Sequence, residues 1–126
     1  MGGQSGVTIA VVDDDIRILE SLGELLESTG YTVNLHTSAQ SLLDSGGVET
    51  GDCLITDLGM PVIDGFELCR RLRLTNPHLP VIFITARNGI HDQARADRFG
   101  HHGLFQKPFD AAALLSAVKK AIARKI

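Results

Sequence analysis

A chain of 126 residues with 44% apolar and 21% charged side chains has the length and balance of one soluble globular domain with a real core. Its formal charge of −3 excludes the electrostatic footprint of a nucleic-acid binder, and no apolar run approaches the ~20 residues needed to cross a bilayer. Cys53 in an apolar run and Cys69 in a helical pattern lack the spacing of a zinc site or a disulfide framework, and read as buried cytosolic thiols.

Met1 to Gly6 has no basic region and no long apolar core, so it reads as a flexible lead, and the domain is expected over residues 7–126. Val7 to Val12 is continuously apolar and predicts a strand buried on both faces. Asp15 is placed to cap a helix with apolar positions Ile16, Leu19, Leu22, Leu25 and Leu26, stopped by Gly30. Tyr31 to His36 alternates as a second strand, with Val33 and Leu35 on one side. Ser38 to Asp44 predicts a short helix, followed by a glycine-rich loop from Gly46 to Gly51. Cys53 to Thr56 is the third strand, and it delivers Asp57. Phe66, Cys69, Leu72 and Leu74 mark a third helix that ends before Asn76-Pro77. Val81 to Ile84 is a fourth strand, ending at Thr85. A weakly patterned helix runs from about Asp92 to Phe99, Leu104-Phe105 is a very short strand, and Asp110 caps a last helix bearing Leu114, Leu115, Val118 and Ile122. Lys119, Lys120, Arg124 and Lys125 suit the C-terminal dipole of that helix.

Five such units predict an α/β fold, a doubly wound five-stranded parallel sheet with helices on both faces. The flavodoxin-like strand order 2-1-3-4-5 sets strands one and three side by side at the switch point, where ligands bind. Asp13, Asp14 and Asp57 then meet at one rim, beside Thr85. Like charges so placed raise one another's pKa unless a cation lies between them, which points to a hard divalent metal with a carboxylate nucleophile beside it. The five histidines complete no site of their own and read as loop residues.

Four motifs stand in order at the strand ends: Val12-Asp13-Asp14; Asp57-Leu58-Gly59-Met60-Pro61 with Asp64-Gly65; Ile84-Thr85-Ala86; and Lys107-Pro108-Phe109. In these the chain resembles the receiver domains of two-component response regulators, over essentially everything after Gly6. The resemblance implies a phosphoacceptor rather than an enzyme: Asp57 takes a phosphoryl group from a phosphohistidine on a sensor histidine kinase or phosphotransfer protein, with Mg2+ (or Mn2+). It implies that Asp14, Asp57 and the Gly59 backbone carbonyl hold the metal directly, and that Asp13 acts through water or weakly. Lys107 would pair with Asp57 and neutralise the acyl phosphate, aimed by a cis Lys107-Pro108 bond, while the Thr85 hydroxyl swings in to a phosphoryl oxygen. A cytoplasmic setting, an output domain or homodimer, and no direct nucleic-acid or membrane contact by this domain also follow from it. The chemistry agrees, since phosphoryl transfer asks chiefly for positioning and charge neutralisation, which Mg2+ supplies to carboxylate and phosphate oxygens.

The chain departs from the family three residues before Lys107, where Leu104 replaces the usual Tyr or Phe. Phosphorylation chemistry is expected to be intact, while coupling to the face of helix four, strand five and helix five is in question. Phe105 is expected on the opposite side, in the core. His101 replaces a small residue and is expected to crowd Thr85. Gly59 and Arg87 border the phosphate path and are expected to set acyl-phosphate lifetime, the glycine leaving room for water and Arg87 being solvated. Asp64-Gly65 reads as a turn and helix start, and Asp92, Arg95, Asp97 and Arg98 as a solvated face. The alternative is a receiver-like interaction module not regulated by phosphorylation; Leu104 favours it, while Asp13, Asp14, Asp57, Thr85 and Lys107 oppose it. An aspartate-nucleophile phosphatase needs a second acid where Gly59 stands, and a nucleotide binder needs a glycine-rich loop where the acids stand. No DNA-binding helix pair follows the last helix, so the expectation is a stand-alone regulator or a fragment of a larger one.

Overall fold

The computed structural model describes residues 6–86 and 90–123. Five strands, β1 (Thr8–Val12), β2 (Thr32–His36), β3 (Cys53–Asp57), β4 (Val81–Thr85) and β5 (Leu104–Gln106), alternate with five helices, α1 (Ile16–Ser28), α2 (Ala39–Asp44), α3 (Gly65–Leu72), α4 (Ile90–Phe99) and α5 (Ala111–Ala123). All strand pairs are parallel, in the expected order β2-β1-β3-β4-β5.

Side-chain alternation along the central strands splits the core in two. Ile9 and Val11, Cys53 and Ile55, Ile82 and Ile84 face α1 and α5, meeting Leu19, Leu22, Leu26, Leu114, Val118 and Ala121. Ala10 and Val12, Leu54, Val81 and Phe83 face α2, α3 and α4, meeting Leu42, Phe66, Leu68, Cys69, Leu72 and Ala96. Both faces being covered is why these strands read as unbroken apolar runs. Neither cysteine is in a disulfide, and both are buried. Among the described residues no helix is long and apolar enough to cross a membrane.

Helix ends follow local chemistry. Asp15 accepts from the Arg17 N–H at the start of α1, Ser38 from Ser41 at α2, and Asp64 from Glu67 at α3. Beyond α1, Gly30 takes φ +98, a left-handed conformation that a side chain disfavours. The third helix is shorter than its apolar pattern: it stops at Leu72, and Leu74 lies outside it, 72% exposed. The loop before β3 contains a 3-10 turn, Val48–Thr50. The α4 helix begins two residues ahead of the expected Asp92, at Ile90.

Not all histidines are loop residues. His36 ends β2 and is buried, its Nδ1 2.8 Å from Ser41 Oγ and its Nε2 3.0 Å from Glu49 Oε1. His101 does not crowd Thr85. The His102 N–H donates to the Val81 carbonyl and the Phe83 N–H to that of Gly103, so this loop lies along the start of β4, at the opposite rim. There the Gly103 N–H donates to His101 Nδ1 (3.0 Å), Nε2 lies 2.8 Å from Asp97 Oδ1, and the ring centroid is 6.0 Å from that of Phe83. Arg95, Asp97 and Arg98 of α4 are exposed, as expected of a solvated face, and two of them have neighbours on it: Arg95 lies 4.4 Å over the Phe66 ring, and Asp97 also accepts from Gln93.

Candidate functional site

Three of the four ladders of the sheet, β1–β2, β3–β4 and β4–β5, run one hydrogen bond past their strands at this rim, and those bonds fall at site residues. The Asp13 N–H donates to the His36 carbonyl at 3.1 Å, the Leu58 N–H to Ile84 at 2.9 Å, and the Lys107 N–H to Thr85 at 2.7 Å. Residues that belong to loops by sequence are thereby held as parts of a sheet. Val12 pairs with Thr56 across β1 and β3, so Asp13 and Asp57 emerge side by side. Alternation continues Ile9 and Val11 into Asp13, Cys53 and Ile55 into Asp57, and Phe105 into Lys107.

Asp13 is fully buried and Asp57 nearly so, while Asp14 is exposed at the mouth. Lys107 Nζ lies 2.7 Å from Asp13 Oδ2 and 3.6 Å from Asp57 Oδ1. The resting lysine thus pairs with two acids, Asp13 being the nearer. The Lys107–Pro108 peptide is cis, as expected. Asp13 Oδ1 accepts from the Asp15 N–H at 2.8 Å. Burial pushes the Asp13 carboxyl above its usual value, against the pull of the Lys107 ammonium and the Asp15 amide. Burial alone would lower the Lys107 ammonium, but Asp13 and the Asp57 charge outweigh it and hold the ammonium above its ordinary value.

Thr85 is buried at the end of β4, one step from Ile84, which pairs with Asp57. Gly59 is exposed, and a Cβ there would meet nothing within 4 Å among the described residues, so on their side space is open beside the acceptor. Arg87 lies outside the described residues. Asp15 and Asp64 are helix caps, as read; Gly65 does more than start a helix, because its Cα rests against the Asp57 backbone. The signal for that role is a glycine in the first turn of a helix, where any other residue would propagate the helix better. Leu104 packs against the Phe66, Phe83 and Phe99 side of the core, and Phe105 against the α1 and α5 side. Phe105 folds over Gly103, where a Cβ would lie 2.5 Å from its ring.

The donor set fits a hard divalent cation. One oxygen from each of Asp13, Asp14 and Asp57 lies within 4.8 Å of the others, a spacing that oxygen ligands of such a cation can close. Asp13 Oδ2 is buried, with an ammonium contact off the hydrogen-bond direction as its partner among the described residues.

Comparison with known proteins agrees with this geometry. The family model described as "Response regulator receiver domain" matches residues 9–119. The chain is 39% identical over 116 residues to "Transcriptional regulatory protein FixJ" of Azorhizobium caulinodans, covering 92% of this chain and 55% of that protein. It is 36% identical over 118 residues to "Response regulator MprA" of Mycobacterium bovis, covering 94% and 51%. The chain thus spans about half the length of these curated relatives. A crystal structure of a response regulator receiver domain protein from Clostridium thermocellum superposes with a TM-score of 0.86 at 30% identity, covering 94% of this chain and 96% of that one.

Proposed function

This chain belongs to the receiver domains of two-component response regulators, and we propose that Asp57 is its phosphoacceptor, charged by the phosphohistidine of a sensor histidine kinase or phosphotransfer protein. The observation that carries the reading is the convergence on Asp57 of the Lys107 ammonium and two further carboxylates at one clamped rim. An Asp57 oxygen attacks phosphorus, the P–N bond to the donor imidazole breaks as the P–O bond forms, and the electron pair leaves with the imidazole nitrogen. Asp14, Asp57 and the Gly59 carbonyl would hold Mg2+ or Mn2+, with Asp13 acting through water or weakly. When bound, the metal neutralises charge on the phosphoryl oxygens. Lys107 orients the acceptor and then neutralises the acyl phosphate from a fixed position. The Thr85 hydroxyl donates to a phosphoryl oxygen and draws its loop with it. The open side at Gly59 admits the water that returns the domain to rest.

In this reading the domain, residues 7–126, catalyses only its own phosphorylation and dephosphorylation. It works in the cytoplasm and passes the change to an output domain, a partner or a second copy. A binding-only module is the second reading, favoured by Leu104 packed into the core in place of a mobile ring.

Incubation with a small acyl-phosphate donor, with and without Mg2+, separates the two by intact mass. One added phosphoryl group, dependent on Mg2+ and absent in Asp57→Asn, is the expected result. No labelling under any donor or metal condition would overturn the reading.

A further inference from the structure

Gly65 opens α3 and is buried, at a position where glycine costs helix stability. A Cβ built on it would lie 2.4 Å from the Asp57 backbone oxygen, 3.1 Å from the Asp57 carbonyl carbon and 3.2 Å from Leu58 Cα. All three neighbours are backbone atoms, so no side chain can swing aside to make room. The Gly65 N–H donates to the Leu58 carbonyl at 3.2 Å, and the Leu58 N–H in turn to Ile84 on β4. The Asp64 carboxylate caps the helix on the Glu67 N–H at 2.8 Å, which fixes where α3 begins. The first turn of α3 therefore rests on the peptide of Asp57, and it closes the loop that carries the Gly59 carbonyl.

We infer that Gly65 is a positioning residue: its missing side chain sets where the Asp57 carboxylate and the Gly59 carbonyl stand relative to Asp13 and Asp14, and so sets the affinity of the rim for a hard divalent cation. The inference rests on the reading of Asp57 and its neighbours given above. Opening a 2.4 Å contact to an ordinary one near 3.4 Å requires α3 or the Asp57 peptide to move by about 1 Å. Magnesium demands near-octahedral oxygen ligands at roughly 2.0–2.1 Å, which an ångström of displacement does not satisfy.

Titration of the full chain with Mn2+, followed by electron paramagnetic resonance of the free ion, tests this. Gly65→Ala is expected to keep its far-ultraviolet circular dichroism and to bind Mn2+ about tenfold or more weakly, the range found when groups supporting metal ligands are changed. Leu72→Ala, a core truncation at the far end of α3, is expected to lose stability and keep the parent affinity. A folded Gly65→Ala with parent affinity overturns the inference, and so does an equal loss in Leu72→Ala. If Gly65→Ala does not fold, amide resonances of the unmodified chain decide. Mg2+ is expected to shift those of Leu58 and Gly65 and to leave that of Leu72 in place; unmoved Leu58 and Gly65 signals overturn it. A parent that binds Mn2+ but accepts no phosphoryl group overturns the acceptor reading alone, because the Gly65 comparison is made on metal affinity.

Discussion

Lys107 stands closer to Asp13 than to Asp57, 2.7 Å against 3.6 Å from its Nζ. The buried acid is therefore stabilised by the same cation that faces the acceptor, and each of the three charges depends on the others.

Removing the cation should expose that dependence. Lys107→Met removes the counter-charge that buried Asp13 has among the described residues and is expected to cost about 3 kcal/mol at pH 7 by urea unfolding. Asp13 already titrates above its ordinary 3.8, so its favourable contribution is full below that value and is lost as pH rises through the raised one. Without Lys107 the value rises further, and the deficit of the variant should shrink towards pH 4. A deficit that is the same at pH 4 and pH 7 would show that the pairing does not govern stability. Lys107 itself titrates above 10.5, so its own contribution in the parent persists to that pH and is lost only beyond it.

Arg73 ties two distant segments together. Its guanidinium donates to the Leu79 carbonyl (2.9 Å from Nη2), to Gly100 (2.8 Å) and to Phe99, so it caps the end of α4 from the turn after α3. Arg73→Ala is expected to cost about 2 kcal/mol in urea unfolding, and Arg73→Lys to recover less than half, since an ammonium cannot fork across three carbonyls. Full recovery by lysine would show that charge, not geometry, matters there.

On the outer face of α3, Arg70 first and then Arg71 hold Glu67 down to about 2. A lowered carboxylate stabilises fully above its ordinary value near 4.5 and loses that contribution as pH falls towards 2. The loss of stability over this window should be shallower in Glu67→Gln, and the difference should fade in high salt because the cluster is exposed. Asp15 and Asp97, lowered by Arg17 and His101, titrate in the same sense, so the slope should flatten rather than vanish. Urea midpoints at pH 5 and pH 3 measure it.

What could be read from the chain and what could not divides along physical lines. The strands β1, β3 and β4 were legible because both their faces are covered, and the acids because polar residues at the ends of such runs stand out. The α4 helix is hard to bound because, among the described residues, Ala96 and Phe99 are the ones it places in this core, too few to show a period. The place of His101 at the start of β4 does not show in the sequence, because a strand as short as β5 gives no register of its own. Leu74 looked helical by spacing, yet the chain turns before it. The work of Arg73 lies in contacts with carbonyls far along the chain, which no local pattern encodes, whereas Gly65 is marked by its place in the first turn of a helix, though not the backbone it rests on.

The ladder bonds at Asp13, Leu58 and Lys107 also tell an engineer where to cut. They separate a sheet-held floor from the loops beyond it, so the turns after β1 and β5 can be lengthened or exchanged beyond Asp14 and Pro108, and the turn after β3 between Gly59 and Asp64, with the floor and the metal-facing groups left in place. A graft that begins at Asp13, Leu58 or Lys107 would remove the clamp with the loop. The rim then behaves as a socket with fixed jaws, on which new recognition can be mounted while the chemistry beneath is inherited.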